Sequence, residues 1–469
     1  MIIVLFFFSI FLLTYLPVID TDFGWHYQCG KEMFTLGKLC TKNTFTYYLS
    51  DYQWANSNFL YDLLTFGIFD QTGFLGIAVL GSLVFVLIAL MLWFLFKGST
   101  LVKMIFIYLL FLLPSWSIIS LGFRSQIASL LFYTVTLFLI HYLNQAKKRK
   151  QQLLFLSLLA LTFILWSNSH PSAFMGPLVF FLFATGQVFK RQYQYIIYAV
   201  LLFLVTWLNP FTYKIYFEVW FHFITPMHQL IAEWVSPVVW QQIIIVLFVG
   251  VYLSSIYLLK KKVKISLYYL LLLSLVTYLG LTARRNLPIF YLTYSYIFLN
   301  TITLSVNINK ETLKMVKRGL VVCVLLISLL QLPKSIKANK DLAFYCQNRL
   351  SKMPCAAVKV LKKTTKINIF NAYEWGGFLI WQLPQNKIFV DGRMPAWQTK
   401  SKKSPYTVYL EIIQAKPGWN RKLRKYKTDF LLIPKGTFLD LLLQKKGEKY
   451  GWKQIHQDPI AIIYRKVAK

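Results

Sequence analysis

Eleven apolar runs, each of roughly 17–25 residues, fill most of the first 333 positions and decide what this chain can become. About 20 helical residues cross the ~30 Å hydrocarbon core of a bilayer. The runs lie near 2–19, 74–96, 102–121, 125–144, 152–168, 171–189, 194–209, 239–259, 265–282, 287–305 and 318–333. Charged residues are only 14% of the 469 positions, whereas soluble chains carry about 25%. Tyr and Trp gather near the run ends, where an aromatic ring suits the membrane interface. The expected fold class is an α-helical polytopic membrane protein of about 11 transmembrane helices with the lipid bilayer as its first partner.

Loop charge orients the spans. Lys97 with Lys103, Lys147–Lys150, Lys190 with Arg191, Lys260–Lys264 and Lys310–Arg318 fall in every second loop, which places those loops in the cytoplasm. The N-terminus is then cytoplasmic. It has neither a basic leader nor a small-residue cleavage site, so the first run reads as a retained helix. Residues 1–333 form the expected multi-span domain, with 20–73 as its first outer loop. Residues 334–469 form an expected soluble extracytoplasmic α/β domain. In it INIF, KIFV, DFLLI and AIIY read as strands, and EWGGFLIWQL, YTVYLEIIQA and FLDLLLQK as helices. The net charge of +34 sits in the short loops and this tail, a distribution that suits topology and anionic lipid or substrate rather than nucleic acid. Cys29 with Cys40 and Cys346 with Cys355 all fall outside, where an oxidising compartment permits disulfides; four free thiols are the alternative.

Ionisable groups at a membrane boundary are costly and mark function, and they concentrate on the outer side. Asp20 and Asp22 follow the first span directly, in DTDFGWH, with His26 one helical turn beyond Asp22. Two such carboxylates can hold a divalent cation, or one can serve as a base beside the other; the plain alternative is that they end a helix. Arg124, Arg284 and Arg285 stand at outer mouths, against the charge rule, where guanidinium forks suit phosphate oxygens or simply reach headgroups. His170, in WSNSHPS, suits a hydroxylated substrate or a hairpin cap, and Glu233 beside Trp234 suits a sugar or an interfacial anchor. In the tail, Gly376 and Gly377 permit close backbone approach, Asp391-Gly392 reads as a turn, and Arg393 could reach an anion. No phosphate-binding loop, zinc cluster, dinucleotide fingerprint or nucleophile elbow is present in the sequence.

The stretch DTDFGWHYQCGKEMFTLGKLCTKNTFTY after the first span, followed by DYQWANSNFLYDLL, resembles the first outer loop of bacterial membrane proteins of the GT-C glycosyltransferase superfamily. WSNSH, AEWVSP and ARRNLPIF are similar to later elements of one branch, and EWGGFLIWQLPQNKIFVDGR is similar to its extracytoplasmic domain. The resemblance implies a GT-C-like architecture in the bacterial cytoplasmic membrane. It implies transfer of a sugar from a polyprenyl-phosphate-linked donor to an acceptor at the outer face. By position, Asp20 or Asp22 would be catalytic base or partner of Mg2+ or Mn2+, with His26 nearby. Arg124, Arg284 and Arg285 would hold the carrier phosphate, while His170, Glu233 and Trp234 remain substrate-binding candidates on the residue reading above. The acceptor is not identified by the resemblance.

Two other classes compete. A transporter or flippase of lipid-linked glycans would hold substrate near the midplane, yet these spans are apolar at their middles. A non-catalytic scaffold would use the outer domain to bind a partner.

Overall fold

The computed structural model describes residues 1–225, 231–259, 266–302, 304, 309–347, 352–397 and 403–467. The basic run at 260–264 lies outside them. Contacts divide the chain into two compact units. One comprises Met1–Val18, Leu75–Tyr213 and Pro226–Ile336; the other comprises Ile19–Phe74, Lys214–Thr225 and Lys337–Lys469.

The secondary-structure elements described in the first unit are all helices. Every apolar run coincides with a helix or most of one, among them Ser125–Gln145, Arg149–Ser167, Val239–Leu258, Leu287–Thr301 and Lys310–Lys340. Six described helices are long and apolar enough to cross a membrane by length and composition, and four further apolar helices are shorter. A helix satisfies its own backbone groups, which lipid cannot do. Side chains confirm the environment: Leu326, Ile327, Leu329 and Leu330 stand more than half exposed on Lys310–Lys340, an unfavourable arrangement in water. Inside, polar contacts fix neighbours. Tyr133 Oη and Thr293 Oγ1 lie 2.7 Å apart, and Asn300 Nδ2 donates to the Leu95 carbonyl at 2.9 Å. The chain is a multi-pass membrane protein.

The second unit holds a five-stranded sheet of order β2-β1-β3-β5-β4. Its strands are β1 (Asn368–Asn371), β2 (Lys387–Ile388), β3 (Phe430–Pro434), β4 (Trp452–Gln457) and β5 (Ala461–Lys466). β1 pairs in parallel with β2 and β3, and β5 runs antiparallel to β3 and β4. β3 reads FLLIP and is buried almost throughout, as a central strand must be. β4 (WKQIHQ) is a polar edge strand that apolar patterning does not find. The helix Phe23–Leu36 packs in this same unit, closed by Gly37 in the left-handed conformation. The helix Phe59–Leu95 is broken at Gly73, whose φ of 62° a side chain would resist. Disulfides join Cys29 to Cys40 and Cys346 to Cys355.

Candidate functional site

Asp22 occupies the N-cap position of Phe23–Leu36, where the helix dipole favours a negative charge. Its backbone N–H donates to Asp20 Oδ1 at 3.0 Å, so the two carboxylates form a local turn. Glycines make the bed on which this turn lies. A Cβ placed on Gly392 would meet Asp22 Oδ1 at 1.8 Å, and one on Gly377 would meet the Thr21 carbonyl at 2.1 Å. One on Gly24 would meet the Gly377 carbonyl at 1.7 Å. The glycines of EWGG and DGR thus let the tail's backbone approach the carboxylates. Asn371 aligns that backbone: its side chain receives the Phe389 and Val390 N–H groups and donates to the Val390 carbonyl. Burial first, and then the nearby Asp20, raises the Tyr345 phenol; burial and Asp22 do the same to Tyr373.

His26 follows Asp22 by one helical turn, but its ring turns to another carboxylate. His26 Nδ1 lies 2.5 Å from Asp62 Oδ1, and Asn56 Nδ2 donates to Asp62 Oδ2 at 2.8 Å. Asp62 is fully buried, which raises its carboxyl above the ordinary range, while His26 and Asn56 pull it back. Trp25 lies against the His26 ring at 3.6 Å. Asp62 and Asn56 were not singled out by sequence reasoning; the only sign was an acidic residue inside an apolar stretch. Glu218 belongs to the same neighbourhood, with its Oε1 accepting the Ala55 N–H at 3.2 Å. Burial pushes its carboxyl up to about 6, against the lowering effect of that hydrogen bond.

Arg393 does reach an anion, namely Asp391. Its Nε and Nη2 fork onto the two Asp391 oxygens at 2.8 and 2.7 Å, and Nη2 also donates to Asn43 Oδ1 at 3.1 Å. The guanidinium is enclosed by Trp25, Phe45, Trp54 and Trp397, between 5.0 and 5.9 Å from each ring. Arg393 Nη1, Trp25 Nε1 and Trp54 Nε1 are buried without a hydrogen-bond partner among the described residues.

The remaining predicted residues belong to the first unit, and most of them converge there. Arg124 grips Glu233 in a two-pronged ion pair, Nη1 to Oε1 at 2.6 Å and Nη2 to Oε2 at 2.9 Å. Burial opposes the Glu233 charge, but Arg124, helped by Arg285, holds its carboxyl below the ordinary value. Arg285 stacks over Trp234 at 4.5 Å. Its backbone N–H donates to the Glu233 carbonyl at 3.2 Å, and that of Arg284 to the Val235 carbonyl at 3.0 Å. His170 Nδ1 receives the Ser172 N–H at 3.1 Å and caps the short helix Pro171–Phe174. His170 and Arg285 line one small cavity of about 70 Å3 with Trp166, Tyr133 and Ser129. Arg284 does not line it; its Nε is buried without a hydrogen-bond partner among the described residues.

Among the described residues no group of three or more His, Cys, Asp and Glu side chains is gathered to hold a metal ion; Asp20 and Asp22 stand as a pair.

No protein-family model matches the chain, and no curated protein matches its sequence. Solved structures do match in fold. The oligosaccharyltransferase AglB of Archaeoglobus fulgidus, in complex with an inhibitory peptide and a dolichol-phosphate, superimposes with a TM-score of 0.59 at 11% identity, over 96% of this chain and 70% of that one. Its apo form gives the same score over 71% of its length. ArnT of Cupriavidus metallidurans in the apo state gives 0.52 at 11% identity, over 98% of this chain and 96% of that one. At such identity the likeness speaks for the fold alone, which this chain shares with these structures.

Proposed function

We propose that this chain is a membrane glycosyltransferase that moves a sugar from a polyprenyl-phosphate-linked donor to an acceptor at the outer face of a bacterial cytoplasmic membrane, with inversion. The observation that carries the reading is the Asp20–Asp22 turn, set on a glycine bed at a helix N-terminus within a GT-C-type fold. The bound dolichol-phosphate of the archaeal oligosaccharyltransferase supports a lipid-phosphate donor.

In the proposed reaction the acceptor hydroxyl attacks the anomeric carbon of the donor sugar. Asp22 takes the hydroxyl proton as the new glycosidic bond forms, while Asp20 holds the Asp22 backbone in place. The bond from the anomeric carbon to the carrier phosphate breaks with its electron pair, leaving a phosphate whose charge an arginine offsets. By their placement in the sequence, Arg124, Arg284 and Arg285 are the candidates for that role. If Mg2+ or Mn2+ takes part, Asp20 and Asp22 are the residues to hold it, since such ions bind through one or two carboxylates plus substrate phosphate, and the ion would add positive charge at the leaving group.

The topology is part of the proposal: eleven crossings, a cytoplasmic N-terminus and an extracytoplasmic tail. Two observations support it. The segments read as outer loop and tail gather in one compact unit, and both carry disulfides.

The test is a transfer assay on purified protein in detergent with a panel of labelled polyprenyl-phosphate sugars. Wild type should release label to an acceptor from one donor. Asp22→Asn should lower the rate by roughly 10²–10⁴, the usual contribution of a positioned base. Full activity in both Asp20→Asn and Asp22→Asn would remove the assignment.

A further inference from the structure

A cleft in the second unit lies at one end of the sheet. It encloses about 600 Å3, within the range of pockets that hold sizeable ligands. Register explains its lining. β5 brings Arg465 opposite Phe430 of β3 and Lys466 opposite Trp452 of β4. The helix Trp419–Lys425 contributes Asn420 and Arg424, four residues apart and therefore on one face.

The aromatic lip is fixed in place. Trp452 Nε1 donates to Asn420 Oδ1 at 3.0 Å, and Asn420 Nδ2 donates to the Tyr450 carbonyl at 3.2 Å. Between the two aromatics Gly451 turns the chain at φ 80°.

Positive charge is in excess in this cleft. Arg424, Arg465 and Lys466 line the cleft against one carboxylate, Asp429. Asp429 Oδ2 is occupied by the Asn368 N–H at 2.9 Å. Among the described residues none of these three exposed cations makes a side-chain hydrogen bond or ion pair, so their charges are open to a ligand. A general lysine bias would not choose arginine, yet two of the five arginines in 335–469 line this cleft. Guanidinium forks match phosphate oxygens, and an aromatic lip suits the apolar face of a sugar.

We propose that this cleft binds an anionic, phosphate-bearing saccharide chain at the outer face. Resting on the transferase reading above, that chain is the acceptor, docked away from the Asp20–Asp22 turn by a surface that recognises its repeating charge. The volume is that of several polymer units rather than of one lipid headgroup phosphate.

The test is a binding measurement that needs no turnover. Full-length protein in detergent is titrated with a fluorescent, glycosylated poly(glycerol phosphate) oligomer, and with an uncharged dextran oligomer of matched length. Wild type should bind the anionic oligomer, more weakly as salt rises, and should not bind dextran. Arg424→Gln with Arg465→Gln should weaken binding by at least about tenfold. Lys435→Gln with Lys445→Gln removes the same charge from exposed positions outside the cleft and should change binding less than about twofold. If thermal unfolding shows the arginine variant to be misfolded, Lys466→Glu replaces it, with the same tenfold loss expected. Equal losses in the two double variants, unchanged binding in the cleft variant, or equal affinity for dextran overturn the proposal. So does binding to anionic-lipid vesicles alone. Asp22→Asn protein should bind the oligomer normally; wild-type protein that binds the oligomer yet transfers sugar from no donor counts against the transferase reading and not against the cleft.

Discussion

At the residue scale, the His26–Asp62 contact is the most consequential pairing in the second unit. Both side chains are buried, and among the described residues Asp62 has His26 and Asn56 as its side-chain hydrogen-bond partners. Removing one member of a buried pair leaves the other uncompensated, at a cost of about 3–5 kcal/mol. Asp62→Ala should therefore unfold at markedly lower denaturant. A His26→Gln/Asp62→Asn cycle should show coupling above ~1 kcal/mol; additive losses would mean the contact is incidental. Glu218 supplies a pH dependence. Its folded pKa of about 6 exceeds the unfolded value of ~4.3. Its contribution to stability is thus fully present below about pH 4.3 and is lost as pH rises through about 6. Glu218→Gln keeps an oxygen for the Ala55 N–H, so it should gain roughly 1–2 kcal/mol over wild type near pH 7.5 and nothing near pH 4. Unfolding midpoints across pH decide; a difference that does not vary with pH removes Glu218 as its source. The sequence pointed to the ionisable residues that matter but not to which of them meet. Arg124 and Glu233 are 109 positions apart, and Arg393 and Asn43 are 350 apart. Local spacing carries no trace of such pairs, and it suggested for His26 a partner, Asp22, whose side chain the ring does not face.

At the element scale, the approach of Phe23–Leu36 to Gly376–Gln382 rests on bare backbone. On an open helix Gly→Ala stabilises by about 1 kcal/mol. At Gly24 the added methyl would lie 1.7 Å from the Gly377 carbonyl, a backbone atom that cannot swing aside. Overpacking costs about 1–3 kcal/mol, so Gly24→Ala should be destabilising in net terms. Gly67 lies on Phe59–Leu95 with nothing within 4 Å of a Cβ, so Gly67→Ala should be neutral or stabilising. Thermal midpoints of the two variants should therefore move in opposite senses, and a common direction would mean that the close approach is not held in solution. EWGG was legible as a place for close approach, though not what approached it. Apolar patterning found the segments of β1, β2, β3 and β5 because their side chains enter the core. It missed β4, whose exposed Lys453, Gln454 and Ile455 resemble a loop.

At the scale of the whole molecule, apolar length was the most legible property, because lipid demands long helices and permits little else. Each of the eleven runs has a helix, yet several are shorter than a bilayer is thick: Ile2–Leu13, Thr100–Leu112, Gln194–Val205 and Leu267–Thr282. Short apolar helices can be accommodated by thinning, snorkelling or oligomerisation, so length does not set the number of crossings by itself. Charge does the remaining work. Lys147–Lys150 precedes Arg149–Ser167, and Lys310–Arg318 opens Lys310–Lys340, which puts both on the side opposite the tail if the chain crosses eleven times. The prediction is a labelling pattern in intact cells. Lys435→Cys, exposed at the end of β3, should react with an impermeant maleimide from outside. Lys148→Cys and Lys310→Cys should react only after the membrane is opened. External labelling of Lys310→Cys together with protection of Lys435→Cys would invert the tail and place the disulfides in a reducing compartment. It would also remove the Asp20–Asp22 turn from the side where a polyprenyl-phosphate donor is proposed to be used.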